Sequence, residues 1–233
     1  MLSPSRHLEL ALYVDDTAII ATSRKASLLV SYLKSCLNDL QRWLSECRIA
    51  INVSKSTAII ACARRRFIQP RKVTLLGEPI KWVDTTRYLG LTLDKGLTWS
   101  LHNDQVRKKT VQRMGMLDPL MNRKSDFSVR NGVLLYKQLI RPLMDYACPA
   151  WRSVARSHVR RLQALQSKCL RLATGAPWYV SNRQIHEDLV VPLVPDYIRA
   201  LTASFVPKLA NVWKPLVRQL GKYLRGPRVD PVA

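Results

Sequence analysis

Acidic residues are scarce in this 233-residue sequence, which carries 16 Asp and Glu against 38 Lys and Arg and has a formal net charge of +22. This imbalance excludes a neutral metabolic enzyme as the first expectation. The excess is uneven, since residues 1–63 have a net charge of +2 and residues 64–233 a net charge of +20. Such a field indicates a polyanionic partner, either nucleic acid or an acidic membrane face, with a merely well-solvated basic surface as the alternative.

Paired cysteines and long apolar runs are also missing. The five cysteines are widely spaced and form no C-x-x-C pair, which favours a reducing compartment and argues against zinc binding. No apolar run approaches the roughly 20 residues that span a bilayer, and the first ten residues lack the apolar stretch of a secretory signal. We therefore expect an intracellular protein, nuclear or cytoplasmic, that is not secreted and has no membrane partner.

Short strand patterns dominate the first hundred residues. Residues 8–14 and 17–22 predict two strands of a β-hairpin with Asp15 and Asp16 at its tip. Apolar residues at helical spacing from about Lys25 to Cys47 predict a helix, with a possible cap at Thr22 or Ser23. Four further short strands are predicted at residues 49–53, 58–62, 73–76 and 88–93.

Beyond about Trp99 the apolar residues recur with a helical period. The predicted helices cover residues 101–117, 128–147, 156–174 and 197–212. They are separated by Pro119, Pro149, Gly175-Ala176-Pro177 and Pro192. The sequence thus predicts the α+β class: a partly β domain followed by a basic, all-helical one.

In the predicted helix at 156–174, basic and apolar residues lie on different sides. At 100° per residue, four of its basic residues fall within one sector of about 100°, and most of its apolar residues fall outside that sector. We call this sector the basic face; it contains Arg160, Arg161, Lys168 and Arg171. A solvated surface helix would show the same pattern. The absence of acidic partners on the same face favours phosphate contact.

Asp15 and Asp16 suit metal-dependent chemistry only if the backbone turns at them. Adjacent side chains on a regular strand point to opposite faces, and a hairpin tip supplies the turn that brings them to one site. Carboxylate oxygens are the ligands that Mg²⁺ prefers, and a two-metal centre can activate an attacking hydroxyl and stabilise departing pyrophosphate. The alternative is that Asp-Asp belongs to an ordinary turn.

An ordered set of motifs resembles a known family. Residues 10–20 read LALYVDDTAII, which resembles the palm motif of reverse transcriptases that carries two aspartates. The segment Asn52–Ser56 resembles the following motif with its lysine. Three later segments are similar to jockey-type non-LTR retrotransposon polymerases: RYLGLTLDKGLTW at 87–99, LIRPLMDYACPAW at 139–151 and LQSKCLRLATGAPWYVSN at 165–182.

The resemblance implies a role for each matching residue. Asp15 and Asp16 would be Mg²⁺ ligands, Tyr13 would contact the primer end, and Lys55 would help the pyrophosphate leave. For Lys55, a solvent-facing lysine between strands is the competing interpretation. Val14 departs from the smaller residue that jockey-like elements usually place there, which affects nucleotide or primer fit and not the reaction type.

The resemblance also implies a domain order. Residues 1–98 would form the latter part of a polymerase palm, residues 99–180 a helical thumb, and residues 181–233 a basic C-terminal helical extension. In this family, a further metal-binding aspartate and a fingers region precede the hairpin, yet only 14 residues precede Asp15 here. We therefore expect a fragment of an RNA-directed DNA polymerase that needs its N-terminal polymerase region, an RNA template and a DNA primer, and that is inactive alone.

Two interpretations of the basic half remain open. A non-catalytic, basic nucleic-acid-binding module is the alternative to a polymerase fragment. Trp178 and Tyr179 follow Gly175-Ala176-Pro177 in a basic context and are candidates for contact with nucleic acid, although packing within the helical domain is favoured for them. The four histidines show no metal spacing, which predicts surface or packing roles.

Overall fold

The computed structural model describes residues 7–14, 16–61, 72–122 and 125–210. The chain divides into two units, residues 1–97 and 98–233. Described residues of the first unit form short strands and one long helix. In the described ranges of the second unit, all regular structure is helical. The predicted α+β class is confirmed.

The first unit begins with an antiparallel hairpin and a helix. Strand β1 (Leu8–Tyr13) pairs with β2 (Asp16–Ala21), and helix α1 (Ala26–Glu46) follows. Both predicted elements are confirmed. The predicted cap is wrong, because α1 begins after Lys25, which makes no side-chain cap hydrogen bond. Ser23 instead accepts a hydrogen bond from the Lys25 N–H through its Oγ (3.2 Å).

Five short strands complete the described part of this unit. A mixed sheet has the order β3-β5-β4, with β3 parallel and β4 antiparallel to β5, and β6 and β7 form a separate hairpin. The strands are β3 (Thr57–Ala58), β4 (Val73–Leu75), β5 (Glu78–Trp82), β6 (Thr85–Tyr88) and β7 (Leu91–Asp94).

Two of the predicted strands are wrong. Residues 49–52 form no strand and lead into a 3-10 turn at Val53–Lys55, because the Asn52 side chain accepts a hydrogen bond from the Ser54 N–H (3.0 Å) and favours a turn. The strand expected at 88–93 is a hairpin, in which Leu89 and Gly90 adopt positive φ and reverse the chain.

Other strand predictions have mixed outcomes. The strand at 73–76 is confirmed by β4, whereas β5 was not predicted. Only residue 58 of the predicted 58–62 segment lies in a strand among its described residues, and residue 62 falls outside the described ranges.

The core of the first unit lies between α1 and the mixed sheet. Buried residues of α1 pack against buried residues of the 3-10 turn, β4 and β5: Val30, Leu37, Leu40, Leu44, Val53, Val73, Leu75 and Ile80. Ile19 of β2 packs against this cluster and is half-buried. This contact joins the hairpin to the core by burying apolar surface, and so it positions the hairpin tip.

The second unit is built around one central helix. Helix α5 (Arg156–Thr174) contacts α2, α3, α6 and α7. The other helices are α2 (Ser100–Met121), α3 (Val129–Leu135), α4 (Arg141–Asp145), α6 (Asn182–Asp188) and α7 (Val194–Ala210). A π-helical turn at Tyr136–Ile140 joins α3 to α4. None of the helices in the described ranges is long and apolar enough to cross a bilayer.

The helix predictions are confirmed most closely for α5. The predicted break at Pro119 is wrong, because α2 runs to Met121. A proline in the last turn removes only one hydrogen-bond donor. The turn is closed by a hydrogen bond from the Asn122 N–H to the Asp118 carbonyl (2.9 Å). Helix α6 was not predicted. Helix α7 begins three residues before the predicted start, and residues 211–212 of that prediction lie outside the described residues.

Candidate functional site

The hairpin tip is set by the register of β1 and β2. Tyr13 and Asp16 are direct cross-strand partners, so only positions 14 and 15 connect the strands. The turn therefore lies one residue earlier than predicted, and Asp16 begins β2. Asp15 lies outside the described residues. The Tyr13 side chain is 62% exposed and Asp16 is exposed, so both lie open to solvent beside the turn.

Val14 has an unusual backbone conformation at this tip. Its φ is +51° and its side chain is 87% exposed. Two-residue hairpin loops favour turns whose first residue has positive φ, because that twist matches the strands, and glycine or asparagine usually occupies the position. A β-branched residue there is strained, and strain of this kind is concentrated at functional sites.

The negative charge at the hairpin tip affects the pKa of a tyrosine in the second hairpin. Tyr88 ends β6 and is half-buried. Burial raises the pKa of Tyr88 above its usual value, and the negative charge of Asp16 raises it further. The Asp16 carboxylate therefore acts on the Tyr88 phenol through its charge.

The carboxylates of the tip are the predicted ligands of Mg²⁺. Within the described residues, no group of three or more His, Cys, Asp or Glu side chains could hold a metal ion. Asp16 nonetheless offers the hard oxygen ligand that Mg²⁺ prefers, and Mg²⁺ is often held by one or two carboxylates together with substrate phosphates. Asp15 and Asp16 thus fit the chemistry of the ion as a partial ligand set.

Lys55 is exposed at the end of the 3-10 turn that precedes β3. Its ammonium group forms no hydrogen bond or ion pair with another residue of the described ranges. Asn52 holds the turn by accepting hydrogen bonds from both the N–H (3.0 Å) and the Oγ (2.6 Å) of Ser54. The structure thus presents Lys55 on a braced turn but joins it to no other predicted site residue.

The basic face of α5 is divided between three environments. Arg160 and Lys168 are exposed. Arg161 is exposed too, but its Nη1 lies 3.7 Å from Asp104 Oδ1 of α2, so an acidic partner comes from a neighbouring helix. Arg171 is half-buried and hydrogen-bonded to the segment that follows α5. Two of the four predicted phosphate contacts are therefore already engaged within the protein.

Arg171 braces the segment between α5 and α6. Its Nη1 donates to the Pro177 carbonyl (2.6 Å), and its Nη2 donates to the Val180 carbonyl (2.7 Å) and to Asn182 Oδ1 (2.9 Å). A guanidinium can make these fixed hydrogen bonds together because its donors form a rigid fork. No pattern along the chain indicates this role beyond the basic position itself.

The packing interpretation of Trp178 and Tyr179 is wrong. Their side chains are 90% and 71% exposed. The apolar neighbours in the sequence suggested burial, but the Pro177 and Val180 carbonyls point to Arg171, and the two rings between them project outward. The histidine prediction is confirmed for His186, which is buried and shares hydrogen bonds with Gln163, Ser167 and the Val191 carbonyl.

Comparisons with known proteins agree with these motifs. Residues 1–93 match the family model described as reverse transcriptase (RNA-dependent DNA polymerase). No solved structure is detectably similar to the chain.

Curated relatives match nearly the whole chain. The RNA-directed DNA polymerase from mobile element jockey of Drosophila melanogaster is 31% identical over 91% of this chain and 23% of its own length. The probable RNA-directed DNA polymerase from transposon X-element of the same species is 30% identical over 86% of this chain and 22% of its own length. A jockey polymerase of Drosophila funebris is 30% identical over 91% of this chain and 23% of its own.

The chain thus spans less than a quarter of the length of these relatives. The family model covers the part that holds the hairpin and its neighbouring strands, and the relatives extend the match through the helical unit. The chain therefore belongs to the reverse transcriptases of jockey-like non-LTR retrotransposons.

Proposed function

We propose that this chain is the part of an RNA-directed DNA polymerase that contributes the aspartate hairpin to the palm and adds the thumb. Residues 1–98 are the palm portion, residues 99–180 the thumb, and residues 181–233 a basic extension. The observation that carries the proposal is the register of the hairpin. It pairs Tyr13 with Asp16 and leaves a two-residue connection, so the aspartate motif lies at an exposed chain reversal.

In the intact polymerase, Asp15 and Asp16 would hold Mg²⁺. When bound, the ion would supply positive charge that offsets the negative charge of the nucleotide phosphates and would favour attack by the primer hydroxyl. Tyr13, exposed beside Asp16, contacts the primer end. Lys55 donates a proton or a hydrogen bond to the leaving pyrophosphate, a role that an exposed ammonium group on a braced turn can perform.

A polypeptide of these 233 residues is expected to be inactive alone. Two carboxylates from one turn fix a metal ion loosely, and phosphoryl-type transfer depends chiefly on positioning. A third carboxylate on a separate strand would fix the ion. We therefore expect the upstream polymerase region to be an obligatory partner, together with RNA template and DNA primer.

Complementation tests this proposal. The chain is co-expressed with the upstream polymerase region of a jockey-like element, and Mg²⁺-dependent primer extension on an RNA template is measured. We expect extension only when both parts are present, and its reduction by at least about a hundredfold in Asp15→Asn and Asp16→Asn. The matched control is Asp84→Asn, an exposed aspartate of the same unit whose Oδ1 pairs with Lys95 (3.1 Å). Extension that is indifferent to all three substitutions contradicts the proposal.

A second candidate function is non-catalytic binding of nucleic acid through the helical unit. From Tyr146 to His186 the chain carries seven Lys and Arg residues and no Asp or Glu, and Arg160 and Lys168 are exposed within this segment. Both candidate functions act where nucleic acid is found, in the nucleus or the cytoplasm. Failure of complementation with retention of binding favours the second.

Salt dependence tests this second candidate. The affinity for an RNA:DNA hybrid should fall linearly with salt on logarithmic axes, since each neutralised phosphate releases counterion, with a slope of about −0.7 to −0.9 per contact. Arg160→Gln with Lys168→Gln should flatten the slope by roughly twice that amount. Lys81→Gln, an exposed lysine on β5, is the control. A flat response in the unaltered chain rejects the candidate.

A further inference from the structure

Trp178 and Tyr179 form an exposed aromatic pair in the segment that joins α5 to α6. We call residues 175–181 the aromatic loop. The two rings meet edge to face, with centroids 6.0 Å apart and an interplanar angle of 80°. Their exposed fractions, given above, leave most of both ring surfaces in contact with water. Two adjacent aromatic side chains carry much apolar surface, and contiguous exposed apolar surface is a candidate interaction site.

Hydrogen bonds and the two helix ends hold the aromatic loop in one conformation. Arg171 donates hydrogen bonds to the Pro177 and Val180 carbonyls, which flank the aromatic pair on both sides. Gly175 ends α5 in a left-handed conformation (φ +60°), and Ser181 caps α6 by accepting from the Gln184 N–H (3.1 Å). A loop fixed at both ends is pre-organised, so less conformational entropy is lost when it binds a ligand.

The aromatic loop is anchored at the end of the basic face. Arg160 and Arg171 lie within about 20° of each other around the helix and eleven residues apart, which corresponds to about 16 Å along α5. Lys168 is exposed one turn before Arg171. The segment from Tyr146 to His186 has no acidic residue, and Arg161 pairs with Asp104 of α2, which leaves Arg160 and Lys168 as exposed cations without an ion pair among the described residues. The aromatic pair therefore adjoins a strip of positive charge that follows the helix.

The combination of exposed aromatic rings and a basic face indicates the class of ligand. An acidic protein partner would match the charge but has no general need of two open ring faces, and a base pair in a duplex keeps its faces stacked on its neighbours. Unpaired bases offer free π faces, and proteins that bind single strands combine aromatic platforms with basic grooves. We infer that the aromatic loop is a stacking platform for unpaired nucleotides of a single strand whose phosphates follow the basic face. The inference rests on the proposed contact with nucleic acid.

Equilibrium binding with the full chain tests the inference. Fluorescein-labelled single-stranded RNA, single-stranded DNA of the same sequence and a blunt RNA duplex serve as probes. We expect Trp178→Ala with Tyr179→Ala to weaken binding of single strands by about five- to a hundredfold and to leave duplex binding within about twofold. The RNA and DNA arms identify which strand the platform prefers. Trp178→Phe with Tyr179→Phe should retain most of the affinity, because phenyl rings also stack.

The salt slope separates stacking from charge. The double alanine variant should weaken binding at every salt concentration without changing the slope, because no phosphate contact is removed. Phe205→Ala, at a partly exposed aromatic residue of α7, is the matched control and should bind like the unaltered chain. The double alanine variant should keep the unaltered melting temperature, since its substituted rings are largely exposed.

The outcomes are distinguishable. Equal single-strand affinity of the double alanine variant and the unaltered chain overturns the inference alone and directs the search to a protein partner. Equal weakening of single-strand and duplex binding overturns it too, because stacking on unpaired bases predicts a difference. Absence of binding to all three probes by the unaltered, folded chain overturns the inference together with the proposed contact with nucleic acid.

Discussion

Val14 combines a β-branched side chain with a positive φ at the tip of the β1–β2 hairpin. The side chain is almost fully exposed, so burial contributes nothing that would offset the strain. In the left-handed region, an L-residue with a Cβ loses about 1–2 kcal/mol relative to glycine, and asparagine tolerates the region better than most residues. Valine at this position therefore lowers the stability of the protein.

We expect Val14→Asn to raise the free energy of unfolding by about 1 kcal/mol, because it relieves the positive-φ strain without the extra chain entropy of glycine. Urea unfolding monitored by circular dichroism measures the change. Val14→Ala keeps a Cβ without the branch and should fall between valine and asparagine. A loss of stability in Val14→Asn would show that the valine side chain makes a favourable contact.

His102 makes the second unit sensitive to acid. Its imidazole is buried between Trp99 and Trp151, with ring centroids 6.4 Å and 6.2 Å away. Burial lowers the pKa of His102 below 6.5, and the positive charge of Lys109 lowers it further. The folded protein thus binds this proton less readily than the unfolded chain, whose histidine titrates near 6.5.

The free energy of unfolding should therefore be unaffected by His102 above about pH 6.5 and should fall as the pH drops below that value. Unfolding in urea from about pH 8 to about pH 5 measures this dependence. Subtracting the curve of His102→Gln isolates the contribution of the imidazole. Parallel curves for the two proteins would contradict the prediction.

The roles of individual residues could be predicted from the sequence where a motif contains those residues. They could not be predicted where a tertiary contact determines the role. The Asp15-Asp16 motif and its chain reversal follow from strand pattern, although the register moves the turn to positions 14 and 15. The brace formed by Arg171 could not be predicted, because its partners are backbone carbonyls that carry no sequence signal.

At the level of elements, α3 and α5 approach closely at Gly132. A Cβ built at Gly132 would lie 3.0 Å from the Ala173 Cβ and 3.4 Å from its Cα. In α2, a Cβ at Gly115 would meet nothing within 4 Å. The two helical glycines therefore differ in environment while sharing the same low helix propensity.

We expect Gly132→Ala to lower the free energy of unfolding by about 1–3 kcal/mol through overpacking. Gly115→Ala, the matched control, should raise it by up to about 1 kcal/mol through helix propensity alone. Thermal and urea unfolding measure both. Ala173→Gly combined with Gly132→Ala should recover part of the loss, and an additive loss in that double variant would locate the effect elsewhere.

The connection between α5 and α6 depends on the guanidinium of Arg171. Arg171→Lys keeps the charge but loses the fork that reaches three acceptors. Chymotrypsin should therefore cleave after Trp178 or Tyr179 several-fold faster in this variant, as measured by mass spectrometry. Arg160→Lys on the same helix face is the control. Equal cleavage rates would favour a role for Arg171 through charge alone.

Element prediction succeeded where one period persists over many residues. Helices α1 and α5 have long amphipathic patterns and match their predicted bounds to within a residue or two. Short elements were missed: β5 and α6 have five and seven residues, too few for a period to be distinguished. The sequence predicts one strand in place of the β6–β7 hairpin, because the reversal pairs Gly90 with Leu89, a residue with no turn preference.

At the scale of the whole molecule, buried side chains are concentrated in the second unit. Among described residues, nine of the ten largest fully buried side chains belong to it, and Val73 belongs to the first unit. In its described residues, the first unit relies instead on sheets of two or three strands, which need further packing to be stable. The helical unit should therefore be the sturdier of the two.

Native-state hydrogen exchange tests this difference. We expect amides of α5 and of the π-helical turn to exchange at least about tenfold more slowly than those of β1, β2 and β7. The comparison uses one protein sample, so solvent and temperature are matched. Slower exchange in the hairpin strands than in α5 would contradict the expected order.

The fold class follows from the change of period near Trp99, and the charge of the second unit could be read directly from composition. What could not be predicted is which charges stay available. Arg161 pairs with Asp104 across 3.7 Å, and these residues are 57 positions apart in the sequence. Pattern arguments along one helix do not include such a neighbour, because it is supplied by packing.

The β1–β2 hairpin forms a sheet of only two strands among the described residues. Each strand thus has an outer row of N–H and C=O groups with no strand beside it there, and such rows attract any extended chain. The order of mixing then matters for complementation. We expect an upstream segment synthesised alongside the hairpin to meet it before other copies do, whereas a segment added to concentrated, stored protein would have to displace copies associated edge to edge.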